Sequence, residues 1–143
     1  MQYLVAVKYK AEGKLVWPTL AELMWEWVGD VKCWRDADGS EVMIAADEDS
    51  GIWVTGQRTG DDHAGPVIVR VCMRTEDDPK KVWDALSHWA STLAARAQGT
   101  VEAWWYTVYE VHEGRPCVIH NAEIRGGVVE VPVGEGKKAG RPN

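Results

Sequence analysis

The chain has no phenylalanine. Its large aromatic side chains are nine tryptophans and four tyrosines, and each indole carries an N–H that needs a partner once buried. Some tryptophans are therefore expected at the rim of the core or at an interface. Cysteine is scarce as well. Cys33, Cys72 and Cys117 are odd in number, far apart and without C-x-x-C spacing, which fits small thiols in a reducing compartment, and the cytoplasm is expected. No apolar run approaches the roughly 18 residues of a membrane span. The opening MQYLVAVKYKAEGK alternates, so it reads as a strand and not as a secretory signal. G-x-G-x-x-G, Walker A, H-E-x-x-H and G-x-S-x-G do not occur, which disfavours the cofactor, metal and serine enzymes that use them.

What is present is an ordinary globular composition. With 143 residues, 45% hydrophobic and 27% charged, the chain is long enough for one real core, and a single domain is expected over residues 1–133. The Gly-rich, basic GEGKKAGRPN at 134–143 is expected to be a flexible tail. Formal net charge is −6. An acidic surface repels phosphate backbones, so nucleic acid is not an expected partner, whereas a basic protein is.

Periodicity supplies the elements. Tyr3, Val5, Val7 and Tyr9 share one face of a first strand, with Leu4 and Ala6 on the other. Thr19 and Glu22 fit a capping box, and Leu20, Leu23, Met24, Trp27 and Val28 form a helical stripe that Trp25 leaves; Gly29 ends it. CWRDADGSE reads as a loop. Glu41–Ala46 and Ile52–Gln57 read as a hairpin, and Pro66–Arg74 as a strand with Val67, Val69, Val71 and Met73 on one face. A second helix starts at Asp77 or Asp78 with Pro79 in its first turn. It buries Val82, Leu86, Trp89, Ala90, Leu93 and Ala97, and stops at Gly99. Val101–His112 and Cys117–Arg125 form a closing hairpin, and Val128–Val133 a last short strand. The fold class is α+β: a six- to seven-stranded, mainly antiparallel sheet with two helices on one face, in βαββ-βαββ order. That order resembles the duplicated strand-helix-strand-strand modules of GyrI-like small-molecule-binding proteins, although no residue signature accompanies it. The stretches WPTLAEL and GIWVTGQ resemble the front half of some small bacterial immunity proteins.

The closing hairpin, WWYTVYEVHEGRPCVIH, is the densest cluster of chemically able side chains. With a turn at Gly114-Arg115, Tyr109 opposes His120 and Trp105 opposes Ile124, giving a mostly apolar face for the helices. The other face then carries Trp104, Tyr106, Glu110 and His112, with Glu123 and Arg125 across from Tyr106 and Trp104, and His112 opposite Cys117. These six residues, Trp104, Tyr106, Glu110, His112, Glu123 and Arg125, are the candidate partner-binding surface, since Trp, Tyr and Arg are enriched at interface hot spots. On this reading, losing Trp105 costs stability and losing Trp104 costs association. A Cys–His pair without an orienting third group or oxyanion element does not make a catalytic site, and His120 reads as a core histidine.

Other constellations are weaker. Asp36–Asp47 imitates a calcium loop but has Glu41 where the sharp turn needs Gly and Asp47 where a bidentate Glu belongs, so it reads as a turn into a strand. Asp61, Asp62 and His63 are adjacent and cannot converge on one ion, so they read as an acidic loop. No metal or cofactor is expected. The expectation is a non-enzymatic binding protein (an inhibitor, immunity-type or phage or accessory factor) that meets a protein or its own copy through an acidic, Trp-rich sheet surface. The alternative is a small-molecule-binding domain or minor hydrolase, with an aromatic pocket lined by Trp27, Trp83, Trp89, Tyr109 and His120.

Overall fold

β-Branched runs with strict alternation become the central strands. A computed structural model describes residues 2–59 and 65–123, with side chains described as far as Ile119. Its elements are β1 (Gln2–Glu12), α1 (Val16–Trp27), β2 (Lys32–Arg35), β3 (Glu41–Asp47), β4 (Ile52–Arg58), β5 (Val67–Thr75), α2 (Pro79–Ala97), β6 (Thr100–His112) and β7 (Arg115–Glu123). The seven strands form one sheet in the order β2-β3-β4-β5-β1-β6-β7, and every neighbouring pair is antiparallel. The fold is thus α+β with two helices. The expected second helix and first strand are observed, including the buried stripe from Val82 to Ala97.

Both helices pack on the same sheet face. Val5, Val7 and Tyr9 of β1, Met43 and Ala45 of β3, Ile52 and Val54 of β4, and Val67, Val69 and Val71 of β5 form one cluster with Leu20, Leu23 and Met24 of α1 and the stripe of α2. Trp27 stacks on Trp89 with ring centroids 5.3 Å apart, tying the helices together, and Arg96 of α2 is ion-paired to Glu26 of α1 at 3.0 Å. A helix lies this close to the sheet only where the strand lacks a side chain. A Cβ on Gly56 of β4 would lie 2.6 Å from Leu20 Cδ2.

Several expectations need correction. α1 begins at Val16, so Thr19 lies inside its first turns and caps nothing; Leu15 occupies the cap without a side-chain hydrogen bond. Pro18 does not block this earlier start, because an N–H in the first turn has no intrahelical partner to lose, and fully buried Val16 anchors it. α2 does begin as expected: Asp78 accepts a hydrogen bond from the Lys80 N–H at 2.9 Å, and Pro79 follows. At its other end the left-handed residue is Gln98, with φ of 52°, and not Gly99. Gly99 serves a different need: a Cβ there would overlap the Glu12 carbonyl oxygen at the end of β1.

The segment CWRDADGSE is a hairpin and not a plain loop. Lys32–Arg35 pairs with Glu41–Ile44, and the turn is closed by Asp36 N–H to Ser40 O (2.8 Å) and Gly39 N–H to Asp36 O (3.0 Å). The four residues of β2 are exposed, so no hydrophobic alternation marked them. The extra strand breaks the duplicated order. The two halves are also inserted differently, since β4, the last strand of the first half, adjoins β5, while β6 adjoins β1. The last short strand at 128–133, the loop of Asp61, Asp62 and His63, and the tail lie outside the described residues.

Candidate functional site

The hairpin of β6 and β7 is turned the other way from the sequence expectation, and two irregularities are responsible. Against β1, Lys8 pairs with Trp105 and Tyr9 with Ala103, so Trp104 is an extra residue in β6. Such a bulge restarts the alternation. Ala103, Tyr106 and Val108 face the helices and are buried, Tyr106 completely, with its ring edge-on to Trp83 at a centroid distance of 4.5 Å. Trp105 is 40% exposed on the opposite face. Trp104 lies on that face too, where the Lys8 and Lys10 ammonium groups stand 5.5 and 5.4 Å from its ring centroid. The two adjacent tryptophans are therefore both outside, and Tyr106 belongs to the core. The turn sits at Glu113-Gly114 and not at the expected Gly114-Arg115, so His112 pairs with Arg115 and Tyr109 with Val118; a second shift then makes Val108 pair with His120, and the expected Tyr109–His120 pair does not form.

The six residues expected to make one partner surface are thus separated. Trp104 is on the open face. Tyr106 is inside, and burial, with Asp78 and Asp84 adding negative charge nearby, pushes its hydroxyl far above the ordinary tyrosine range. Glu110 and His112 alternate with Tyr106 and Val108, so they share the helix-side face, where His112 Nε2 contacts a Glu110 carboxylate oxygen. His112 pairs with Arg115 and Glu110 with Cys117, so the expected Cys–His cross-strand pair is absent. Glu123 occupies a ladder position opposite Trp105; its side chain and the whole of Arg125 lie outside the described residues. The alternative pocket set is separated too. Trp83 and Trp89 are core residues packed on other aromatics, Trp27 stacks on Trp89, and Tyr109 lies on the opposite side of the sheet. His120 pairs in the backbone with Val108, and its side chain is outside the described residues.

What the ladder does assemble is the face away from the helices. One row across the strands runs Lys32, Ile44, Thr55, Arg70, Lys8, Trp105. The next rows on either side run Trp34, Val42, Gln57, Ile68, Lys10, Glu102 and Ala46, Trp53, Cys72, Ala6, Thr107. A short fourth row is Arg74, Leu4, Tyr109, Val118. None of these residues is buried, and among the described residues no helix packs on them. Four of the nine tryptophans lie here: Trp34, Trp53, Trp104 and Trp105. Trp34 is held by its own indole N–H, which donates to Asp36 Oδ1 at 2.8 Å.

The charge of this face is opposite to that of the chain. Its strand positions include the cations Lys8, Lys10, Lys32, Arg70 and Arg74, against Glu12 and Glu102 at one end, where Glu12 is paired to Lys10 at 3.5 Å, and the ladder position of Glu123 beyond Trp105. The acids concentrate elsewhere, with Glu22 and Glu26 on α1 and Glu76, Asp77, Asp78 and Asp84 at the start of α2. Cys72 sits in the middle of the open face, and partial burial pushes its thiol up to about 11, which keeps it protonated and unreactive at neutral pH. Cys33 and Cys117 are exposed. Arg74 also lines a polar cleft of about 300 Å³ with Gln2, Asp49, Ser50 and Glu76, where its guanidinium donates to the Glu48 carbonyl at 3.2 Å. Among the described residues no cluster of three metal-ligating side chains occurs, and no helix is long and apolar enough to cross a membrane. The Asp36–Asp47 segment is a hairpin turn in which Asp38 accepts the Ser40 N–H at 2.9 Å, a bond that lowers the Asp38 pKa.

The comparisons with known proteins add no assignment. No model of a known protein family matches the chain, and no curated protein matches it. The site therefore rests on its own chemistry.

Proposed function

We propose that the chain is a non-enzymatic binding protein of the inhibitor, immunity or accessory type that docks a protein partner on the open face of its sheet. The observation that carries this reading is the set of indoles on that face, exposed Trp34 and Trp105 and half-buried Trp53 and Trp104, interleaved with aliphatic side chains and Lys or Arg on a surface that no described helix covers. Trp and Arg are the residues that dominate binding hot spots, and exposed apolar surface gathered on one face marks an interaction site. Glu110 and His112, on the other side, are not part of this surface. Among the described side chains of the open face there is no pairing of nucleophile and oriented base of the kind that acyl or phosphoryl transfer needs.

The test is a paired substitution, Trp53→Ala with Trp105→Ala, in the full chain. Both side chains lie outside the core, so the variant should keep its circular dichroism spectrum and melt close to wild type, yet lose the partner recovered by cross-linking in the producing cell. A variant that retains its fold and every wild-type cross-link would overturn the proposal.

A further inference from the structure

The charge pattern of the open face selects its partner, and this step rests on the reading of that face as a docking surface. We infer that the partner is an acidic protein surface, and that the same cations exclude a second copy of this chain. β5 is the middle strand of the seven, and at its centre exposed Arg70 stands beside Lys8 of β1. Lys10 and Arg74 flank this pair on the same two strands, and Lys32 lies at the far end of the same row. A face-to-face homodimer is isologous, so the centre of the patch meets its own copy across the two-fold axis. Arg70 and Lys8 would then face Arg70 and Lys8 with no described carboxylate between them, and like charges brought together out of water are unfavourable. An acidic partner meets the opposite situation: its carboxylates fall on guanidinium and ammonium groups, while Val42, Ile44, Ile68 and the indoles take its apolar side chains.

The composition of the rows also favours protein over nucleic acid. Single-stranded nucleic acid uses aromatic platforms with polar and basic surroundings. Here the ladder positions beside Trp34 and Trp53 are Val42, Ala46 and Cys72, which offer a nucleotide no stacking plane, and Lys8 and Lys10 already stand over the ring of Trp104.

The experiment titrates the full chain with poly-L-glutamate and, separately, with oligothymidylate at equal charge, reading tryptophan emission at about 0.05 M and about 0.5 M salt. Sedimentation of the chain alone accompanies it. Poly-L-glutamate should shift the emission at low salt and lose its effect at high salt. The double reversal Lys8→Glu with Arg70→Glu should weaken it by about tenfold or more, while Lys80→Glu with Lys81→Glu on α2 should not. The chain alone should sediment as a monomer. Tighter binding of oligothymidylate would replace the acidic protein with a nucleic acid. A wild-type dimer that Trp105→Ala dissociates would make the occupant a second copy. Indifference to both polymers would overturn the acidic partner. These results leave the docking face itself to the cross-linking of the Trp53 and Trp105 variant, so the two failures are distinguishable.

Discussion

The two faces of the sheet are woven from the same strands yet obey different rules. On the helix side, successive positions of β1 and β5 are Val5, Val7, Tyr9, Val67, Val69 and Val71, all nearly or completely without solvent exposure. One residue further along, the same strands present Ala6, Lys8, Lys10, Ile68, Arg70 and Cys72, none of them buried. The covered face is apolar at each of these positions and packs against the helix layer. The open face mixes apolar side chains with Lys8, Lys10 and Arg70, whose polar ends a helix packed over them would strand. Charge, more than size, separates the two faces of these strands.

The sharpest way to break this comparison is to truncate one aromatic on each face of β6. Tyr106→Ala opens a cavity beside Trp83 and should cost about 3–5 kcal/mol, as large-to-small core changes do. Trp105→Ala, one residue earlier, should cost less than about 1 kcal/mol, as substitutions away from core and caps do. Urea unfolding followed by far-ultraviolet circular dichroism measures both. Equal losses would mean that the open face is covered in the folded protein. A smaller effect sharpens the packed side: Gly99→Ala should destabilise by about 1–3 kcal/mol, because the new methyl group meets the Glu12 backbone carbonyl, whereas Gly39→Ala in the β2–β3 turn meets nothing within 4 Å and is limited by its φ of 89° alone.

The smallest effect tests how dry the open face is. Cys33 and Cys117 should react with a thiol reagent within the mixing time, and Cys72 only slowly or after unfolding. The folded pKa of Cys72 is raised from 9.0 to about 11 by burial. The unfolded chain therefore ionises first: this group leaves stability unchanged below pH about 9, and stability falls as pH rises from there toward about 11. Comparing urea midpoints of wild type and Cys72→Ala across that window isolates the contribution. A Cys72 as reactive as Cys117 would show that the middle of the open face is fully wet.

Legibility followed the strength of local signals. The stripe and the Asp78-Pro79 start of α2, and the alternation of β1 and β5, needed nothing beyond their own residues. The hairpin of β6 and β7 was misread because both of its faces are apolar: Trp105, Tyr109 and Val111 on one, Tyr106 and Val108 on the other. Only the bulge at Trp104 decides which set turns inward, and a bulge has no composition of its own. β2 was missed because four exposed residues carry no period. The basic character of the open face could not be read at all, since Lys8, Lys32 and Arg70 are far apart in the chain and become one row only through the strand order. Net charge, a property of the whole chain, does not give the sign of any one face.

The position of β1 has a kinetic consequence. The first strand of the chain lies between β5 and β6, so its eleven residues wait unpaired until residues 67–75 and 100–112 have been made. The central β1–β5 pair needs the chain as far as Thr75, and the β1–β6 pair needs it as far as Val111. Folding dominated by such distant pairings is slow, in the millisecond-to-second range for domains of high contact order. During that interval an alternating, β-prone N-terminal segment is exposed with both edges open. Lys8 and Lys10, which face outward in the finished sheet, place charge within that strand, the kind of residue that discourages strand-to-strand pairing between chains.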